Sequence, residues 1–309
     1  MRKIVLANSE SYNAANLSQA LTSYVAGLPI DEKAQSLLDF IAPPVRTANR
    51  FEYNTIGNGT QLVDNDDARA VRSEFKKVTV DGTVRNAKLV NRGLTLVIDS
   101  DEYFGDYEQE AAKFLKQRLI LNELARAISM LKKATADAQT AVVWKSGGGT
   151  NPDIDIRTLV TSVGNAGGLN ANRIVIGDTA WSYRLASLFG SEASAANAQA
   201  LLNLDGLAGL VGADKIMNSD QRFLTKVKDS EGKAKKEFEL MLSNYVFAFN
   251  SKDGASKYDP STFKRFVGED NFKVYVDKKA KTTEVTVEHY SLLAQTGTGA
   301  CASLLVSNS

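Results

Sequence analysis

The chain has 309 residues, 43% hydrophobic and 24% charged, and its 37 basic and 36 acidic side chains leave a formal net charge of +1. That length supports one large or two moderate domains with a sizeable core. Balanced charge without a basic tail excludes a strong sequence-independent grip on nucleic acid, and no apolar stretch approaches a membrane span or a signal-peptide core. Nothing points to an oxidising compartment, because the single cysteine, Cys301, has no partner within the chain. It reads as a small buried hydrophobe in a soluble protein that folds where it is made.

Residues 8–30 are rich in Asn, Ser, Ala and Leu, with weak periodicity and helical turns around 16–26. They read as an N-terminal arm that orders on a partner. Asp31 can cap a short amphipathic helix to Phe40, with Leu37, Leu38 and Phe40 on its apolar side, and Pro43-Pro44 stops it. A long polar arm then runs from Arg50 to Asp99. Its first strand, Arg50–Ile56, alternates polar and apolar, and Gly57-Asn58-Gly59 breaks it. Asp64, Asp66, Asp67, Arg69, Arg72, Glu74, Lys76 and Lys77 crowd the next stretch. Phe75–Val80 turns at Asp81-Gly82, where both residues tolerate positive φ, and Asn86–Asp99 returns as a strand. Such a ribbon has too little apolar face to stand alone and must lie on something else.

Asp106 is placed to cap the helix that follows, and Glu108 and Glu110 complement the dipole of its first turn. Apolar residues recur at Phe114, Leu121 and Ile128 and at Leu124 and Leu131, widened by Leu115, Leu119 and Ile120. With no proline or glycine inside, the pattern predicts one helix from about Asp106 to Ala141. At 1.5 Å per residue it would be about 50 Å long. A compact monomer has little use for either a projecting arm or such a strut. Together they point to a subunit that meets its neighbours, a shell former.

Ser146–Thr150 is a glycine hinge, after which helices and strands alternate. Helices are predicted over 154–163, 179–189 (capped by Asp178, burying Trp181, Leu185 and Leu188) and 194–204. Arg173–Ile176 is a short buried strand, Leu210-Val211 with Lys215–Met217 suggests another, and Lys226–Lys236 is a charged hairpin tip before a strand over 238–249. The end of the chain is again β-rich, with strands over 272–277, 282–288 and 304–306 and a turn at Lys278–Lys281.

The residues of chemistry are scarce. His289 is the one histidine, and it lies in a strand with no Gly-x-Ser-x-Gly elbow in the chain. One His and one Cys cannot build a zinc site. Asp64, Asp66 and Asp67 open like a calcium loop, but Arg69 and Phe75 stand where glycine and glutamate are required. Neither Gly297-Thr298-Gly299 nor Gly147–Gly149 has the context of a phosphate loop. No catalytic, cofactor-binding or metal site is expected, and the protein is read as no enzyme.

In its order of elements (loose N-terminal arm, long β-hairpin, strut helix, α/β stretch after a glycine break, returning strands) the chain resembles tailed-phage major capsid proteins of the Hong Kong 97-type fold. The resemblance implies an α+β fold divided into an N-terminal arm (1–30), an extended loop (50–99), an axial domain (150–260) and a peripheral domain. The peripheral domain would take residues 31–49, 100–149 with the spine helix over 106–141, and 261–309. It implies a subunit that self-assembles as pentamers and hexamers into an icosahedral head enclosing double-stranded DNA, in virions assembled in the host cytoplasm, with possible scaffolding, portal and decoration partners and no membrane. Asp66, Arg69, Arg72, Glu74, Lys76 and Lys77 are the candidate inter-subunit contacts. Lys76, Lys77 and Lys88 lie in the arm, yet no Lys, Asn and Glu trio matches an isopeptide crosslink, and none is expected. No fused scaffolding segment is expected either. An encapsulin-like compartment and an oligomeric α/β enzyme stay open as alternatives.

Overall fold

The structure, a computed structural model, describes residues 16–27, 32–56, 68, 74, 82–102, 105–145, 150–189, 203–228, 234–256, 259, 261–269, 272–297 and 301–308. In chain order these form α1 (Gln19–Gly27), α2 (Glu32–Ile41), β1 (Pro44–Arg46), β2 (Arg50–Ile56), β3 (Gly82–Lys88), β4 (Val90–Asp99), α3 (Tyr107–Ala134) and β5 (Gln139–Val143). Then come α4 (Pro152–Gly167), β6 (Arg173–Gly177), α5 (Asp178–Phe189), α6 (Leu204–Val211), β7 (Lys215–Ser219), β8 (Arg222–Lys228), β9 (Ala234–Leu240) and β10 (Tyr245–Phe249). The chain closes with β11 (Phe263–Val267), β12 (Lys273–Lys278), β13 (Thr282–Gln295) and β14 (Ala302–Ser307).

Two five-stranded sheets carry the structure. The first is organised by β13, whose 14 residues give it two neighbours along one edge. β12 pairs antiparallel with its first part, from Lys278↔Thr283 to Lys273↔Glu288, and β11 with its last, from Val267↔Ser291 to Phe263↔Gln295. Along its other edge β4 pairs antiparallel from Asp99↔Thr282 to Val90↔Ser291. β1 joins parallel to β11. The second sheet has the order β5-β14-β10-β6-β7, with parallel pairs at both ends.

The central strands of the second sheet, β6, β10 and β14, are buried on both faces, and their alternation sorts the side chains. Ile174, Ile176, Val246, Ala248, Leu304 and Val306 face a core closed by α4 and α6, through Ile156, Leu159, Val160, Leu207 and Val211. Val175, Phe247 and Phe249 face the opposite way, toward α2 and the second half of α3. Period-2 side-chain direction makes this split automatic, and it explains why β6 reads as continuously apolar. Gly177 ends β6 where a Cβ would meet the Ser243 carbonyl at 2.1 Å, so only glycine admits this turn.

α3 reaches both sheets. Its first half packs Ala111, Ala112, Leu115 and Leu119 against Val274, Val285 and Val287 of the first sheet and against Leu21 and Val25 of α1. Its second half packs Ile120, Leu124, Ala127, Ile128 and Leu131 with α2 against the second sheet. These residues recur at three- and four-residue intervals, one stripe down one side of the helix.

Several expectations are corrected. The helix spans 28 residues, about 42 Å, and ends at Ala134 instead of Ala141. Thr135 turns its hydroxyl onto the Leu131 carbonyl at 3.0 Å, and 139–143, rich in β-branched residues, is drawn into a parallel ladder with β14. Asp106 is the N-cap residue, but through its backbone carbonyl, which accepts from Gln109 and Glu110; its side chain makes no cap bond. Phe114, placed on the apolar stripe, is 47% exposed. β4 belongs to the first sheet along its full length rather than to a free arm, and buried Leu89 separates it from β3. α1 does not wait for a partner: Leu21 and Val25, one turn apart, bury on α3. On α5 the buried side chains are Ala180, Arg184 and Ser187, with Trp181, Leu185 and Leu188 only half-buried. Arg184 is tolerated inside because Asp153 receives Nε at 2.7 Å and Nη2 at 3.1 Å. Leu210-Val211 ends helix α6 instead of starting a strand, and 238–249 is split between β9 and β10. The Ser146–Gly149 hinge and residues 194–202 lie outside the described residues.

Leu124 has no exposed surface and sits between α2 and the second sheet. Leu124→Ala should cost roughly 2–5 kcal/mol, read as a lower urea midpoint with unchanged slope; a loss under about 1 kcal/mol would show that α3 is not tightly clamped there.

Candidate assembly surface and its support

The arm is rooted by aromatic packing. Phe51 and Tyr53, two apart on β2, point to one face and stack on Phe266 of β11, with ring centroids 4.5 and 5.2 Å away. Val45, Leu89 and Ala294 complete this small core. Beyond it β2 and β3 form a ribbon of two strands, paired from Arg50↔Lys88 to Ile56↔Gly82. β3 is exposed along nearly its whole length, including Val84 at 57%. A two-stranded ribbon with so little covered surface is marginal in water, so its outer part calls for a neighbouring surface.

Of the six candidate contact residues, Glu74 is described and is exposed, whereas Asp66, Arg69, Arg72, Lys76 and Lys77 lie outside the described residues. So do Gly57–Gly59, the Asp64 and Asp67 carboxylates and the strand expected over 75–80. Gly82 opens β3 opposite Ile56, and Asp81, its expected turn neighbour, lies outside the described residues. A second projecting ribbon, β8 with β9, was legible only as a charged hairpin tip. It pairs from Arg222↔Leu240 to Lys228↔Ala234 and exposes Phe223, Leu224 and Phe238, the last at 73%. The alternation of Phe238 with Glu237 and Glu239 was its available signal.

Beneath the arm's root an ionic cluster joins four elements. Arg265 of β11 donates Nη2 to Asp39 of α2 at 2.6 Å and Nη1 to Glu123 of α3 at 3.2 Å. Gln35 braces Asp39 from one turn earlier at 2.9 Å. Glu123 is 1% exposed; burial pushes its carboxyl up, but Arg265 and His289 overcome this and hold it below the usual carboxylate range. His289 of β13, the one histidine, stacks on Phe272 at 5.0 Å. Burial lowers its imidazole to about 4, against the pull of Glu123 and with help from Arg265, Arg126 and Arg92. It is therefore neutral at pH 7, and its surroundings are those of a structural cluster rather than of an activated nucleophile. Lys116 lies farther up α3, its Nζ 5.3 Å from the Phe272 ring centre and donating to the Val25 carbonyl of α1. Burial lowers its ammonium to about 8.

Cys301 is buried and donates weakly to the Ala134 carbonyl at 3.6 Å, and burial pushes its thiol up to about 11, which makes it unreactive at neutral pH. Among the described residues no three His, Cys, Asp or Glu side chains are grouped to hold a metal ion. No described helix is long and apolar enough to cross a membrane.

No protein-family model and no curated protein matches the sequence. Solved structures do match. A phage-related protein from Bordetella bronchiseptica is 16% identical and superposes with a TM-score of 0.68 over 93% of this chain and 96% of that one. The capsid structure of the cyanophage P-SCSP1u matches at 10% identity and a TM-score of 0.50 over 88% of each chain. A structure from Microbacterium phage Oxtober96 matches at 12% identity and a TM-score of 0.50, over 89% of this chain and 90% of that one. At these identities the likeness establishes the fold, the α+β Hong Kong 97-type capsid fold expected from the order of elements.

Both depressed groups in the cluster make acid destabilising. The unfolded chain binds a proton on His289 below about 6.5 and the folded chain only below about 4, so this contribution is complete above 6.5 and is lost as pH falls between those values. A shift of this size is worth about 3 kcal/mol. Glu123, also depressed, adds a loss at still lower pH, below 4.5. Urea midpoints measured from pH 7 to 4 should fall steadily, and His289→Gln should flatten the slope between pH 6.5 and 4; an unaltered slope would remove His289 from the explanation.

Proposed function

We propose that this chain is the major capsid protein of a tailed phage, a non-enzymatic subunit that self-assembles as pentamers and hexamers into an icosahedral head enclosing double-stranded DNA. The observation that carries this reading is the arm: a ribbon rooted by Phe51, Tyr53 and Phe266 that leaves the body with its outer strand uncovered. The shared fold supports it across nearly the whole chain. An arm laid across the next subunit buries more surface than one compact face can, and many repeated contacts set the register of a shell. The net charge of +1 suits a lining that faces DNA without gripping it.

On this reading residues 50–99 serve as the extended loop, though β4 doubles as a strand of the main sheet. Residues 150–260 are proposed to form the axial domain around the capsomer axis, joined by β5 and β14, which lie in the same sheet, with 1–30 the N-terminal arm and the rest the peripheral domain. Asp66, Arg69, Arg72, Glu74, Lys76 and Lys77 are proposed to pair with the neighbour under the arm. Exposed pairs contribute about 0–1 kcal/mol each, so they specify register more than they supply affinity. Scaffolding, portal and decoration proteins are proposed partners, with assembly in the host cytoplasm and the virion as destination.

Electron micrographs of the purified protein test the reading directly. Uniform icosahedral shells, with phage DNA in particles from the native source, are expected. A small discrete oligomer whose melting shifts with a ligand would instead favour an α/β enzyme, and shells holding enzyme cargo a cellular compartment. Arg69→Ala combined with Arg72→Ala should lower shell yield while the subunit stays soluble and folded; undiminished assembly would count against the charge-pairing role. Intact shells should run as single subunits on a denaturing gel, without covalent ladders.

A further inference from the structure

β4 closes one side of the first sheet, and its far edge is bare. Among the described residues no strand lies beyond it. Ser100 N donates to the Lys281 carbonyl at 2.8 Å, and in an antiparallel ladder alternate residues face the partner strand. The even-numbered residues of β4 therefore turn their backbone groups to β13. Asn91, Gly93, Thr95 and Val97 turn theirs outward, where they meet no partner. The 10 residues of the strand run about 33 Å. Their register is unbroken and they include neither proline nor lysine, so nothing that usually blunts an edge is present.

The side chains add two asymmetries. Leu94, Leu96 and Ile98 pack toward α3, whereas the opposite face exposes Val97 at 55% and has no side chain at Gly93. A hollow of about 520 Å³ lies over that glycine, edged by Asn91, Thr95, Tyr275 and Tyr290. Charge also runs along the strand. Half-buried Arg92 near its start lies close enough to Arg126 to oppose its charge, and has no carboxylate partner. Exposed Asp99, Asp101 and Glu102 at its end have no cation among the described residues.

We infer that β4 pairs with β4 of a second copy, antiparallel about a two-fold axis at Thr95, so that the first sheets of two subunits become one. Such an isologous contact needs a surface that complements itself, and this edge does. With Thr95 opposite Thr95, Gly93 falls opposite Val97 and Asn91 opposite Asp99. Every outward N–H and C=O from Gly93 to Val97 is then paired. The exposed valine of each copy sits beside the hollow over the other's Gly93. Arg92 comes next to the acidic end of the other strand, whereas a parallel second copy would set cation beside cation. The contact uses no part of the arm, so it does not rest on the capsid reading.

Thr95→Cys tests this in full-length protein, whose native Cys301 is buried. At the axis the two Cα atoms would stand about 5.5 Å apart, within disulfide reach. Mild oxidation of the purified subunit is expected to give a disulfide-linked dimer on a non-reducing gel. Val97→Cys should stay monomeric, because its own copy lies farther along the ladder, about 13 Å away. Val97→Pro removes an outward N–H where an edge tolerates proline. Added to Thr95→Cys, it should cut the dimer about fivefold and leave the urea midpoint little changed. No dimer from Thr95→Cys, equal linking from Val97→Cys, or indifference to the proline would each overturn the inference. The two cysteine variants decide it even where the proline lowers the midpoint. Linking is read on subunits, without shell formation, so its failure and that of the capsid reading are separate results.

Discussion

The packing of α3 is the constraint on which everything else rests. One stripe of side chains from Ala111 to Leu131 is shared between two sheets, which also meet where Phe263 of β11 packs on Phe249 of β10. A helix whose two halves are each clamped to a different sheet cannot rotate to improve one contact without losing the other. That fixes the relative placement of the sheets far more firmly than a linker could, because packed interiors resist small displacements. For the proposed shell role this stiffness matters, since an angular error in one subunit is repeated in every copy.

The ionic cluster lies where the stripe passes from one sheet to the other. Glu123, like Lys116 two turns earlier, interrupts the apolar face of α3, and a lone buried carboxylate there would be costly. Arg265 offsets that cost, and Asp39 ties the same guanidinium to α2. Charged groups in fixed geometry specify one arrangement more sharply than apolar ones, while contributing less to net stability. The cluster also stands directly under Phe266, the base on which the arm's aromatic root is stacked. The arm's direction is thereby coupled to the junction of the two sheets.

Much of this was legible in the chain. The three-and-four spacing over 115–131 predicted the long helix, Pro43-Pro44 its predecessor's end, and Arg173–Ile176 a short buried strand. The alternation over Arg50–Ile56 marked a half-exposed strand, while its packing on Phe266 was not legible. Misplaced elements share one cause. Residues 135–141 are compatible with helix locally, yet 135–138 turn and Gln139 onward becomes strand because β14, more than 160 residues later, offers a ladder. Leu94, Leu96 and Ile98 alternate equally well in an arm or in a sheet, and only the length of β13 decides between them. Arg184 and Arg265 carry no local signal of burial; Asp153, Asp39 and Glu123 are brought to them across the fold.

By itself, then, the sequence determined the elements, the scarcity of catalytic side chains, the balanced charge and the pairing of a projecting ribbon with a strut, because hydropathy period, turn chemistry and composition act within a few residues. Tertiary structure alone decided which half of α3 serves which sheet, that β4 is zipped into the main sheet, that α1 docks in its own chain, and that Phe114 is left exposed. Those outcomes depend on contacts between residues far apart in the chain, where burial and ladder pairing override local preference.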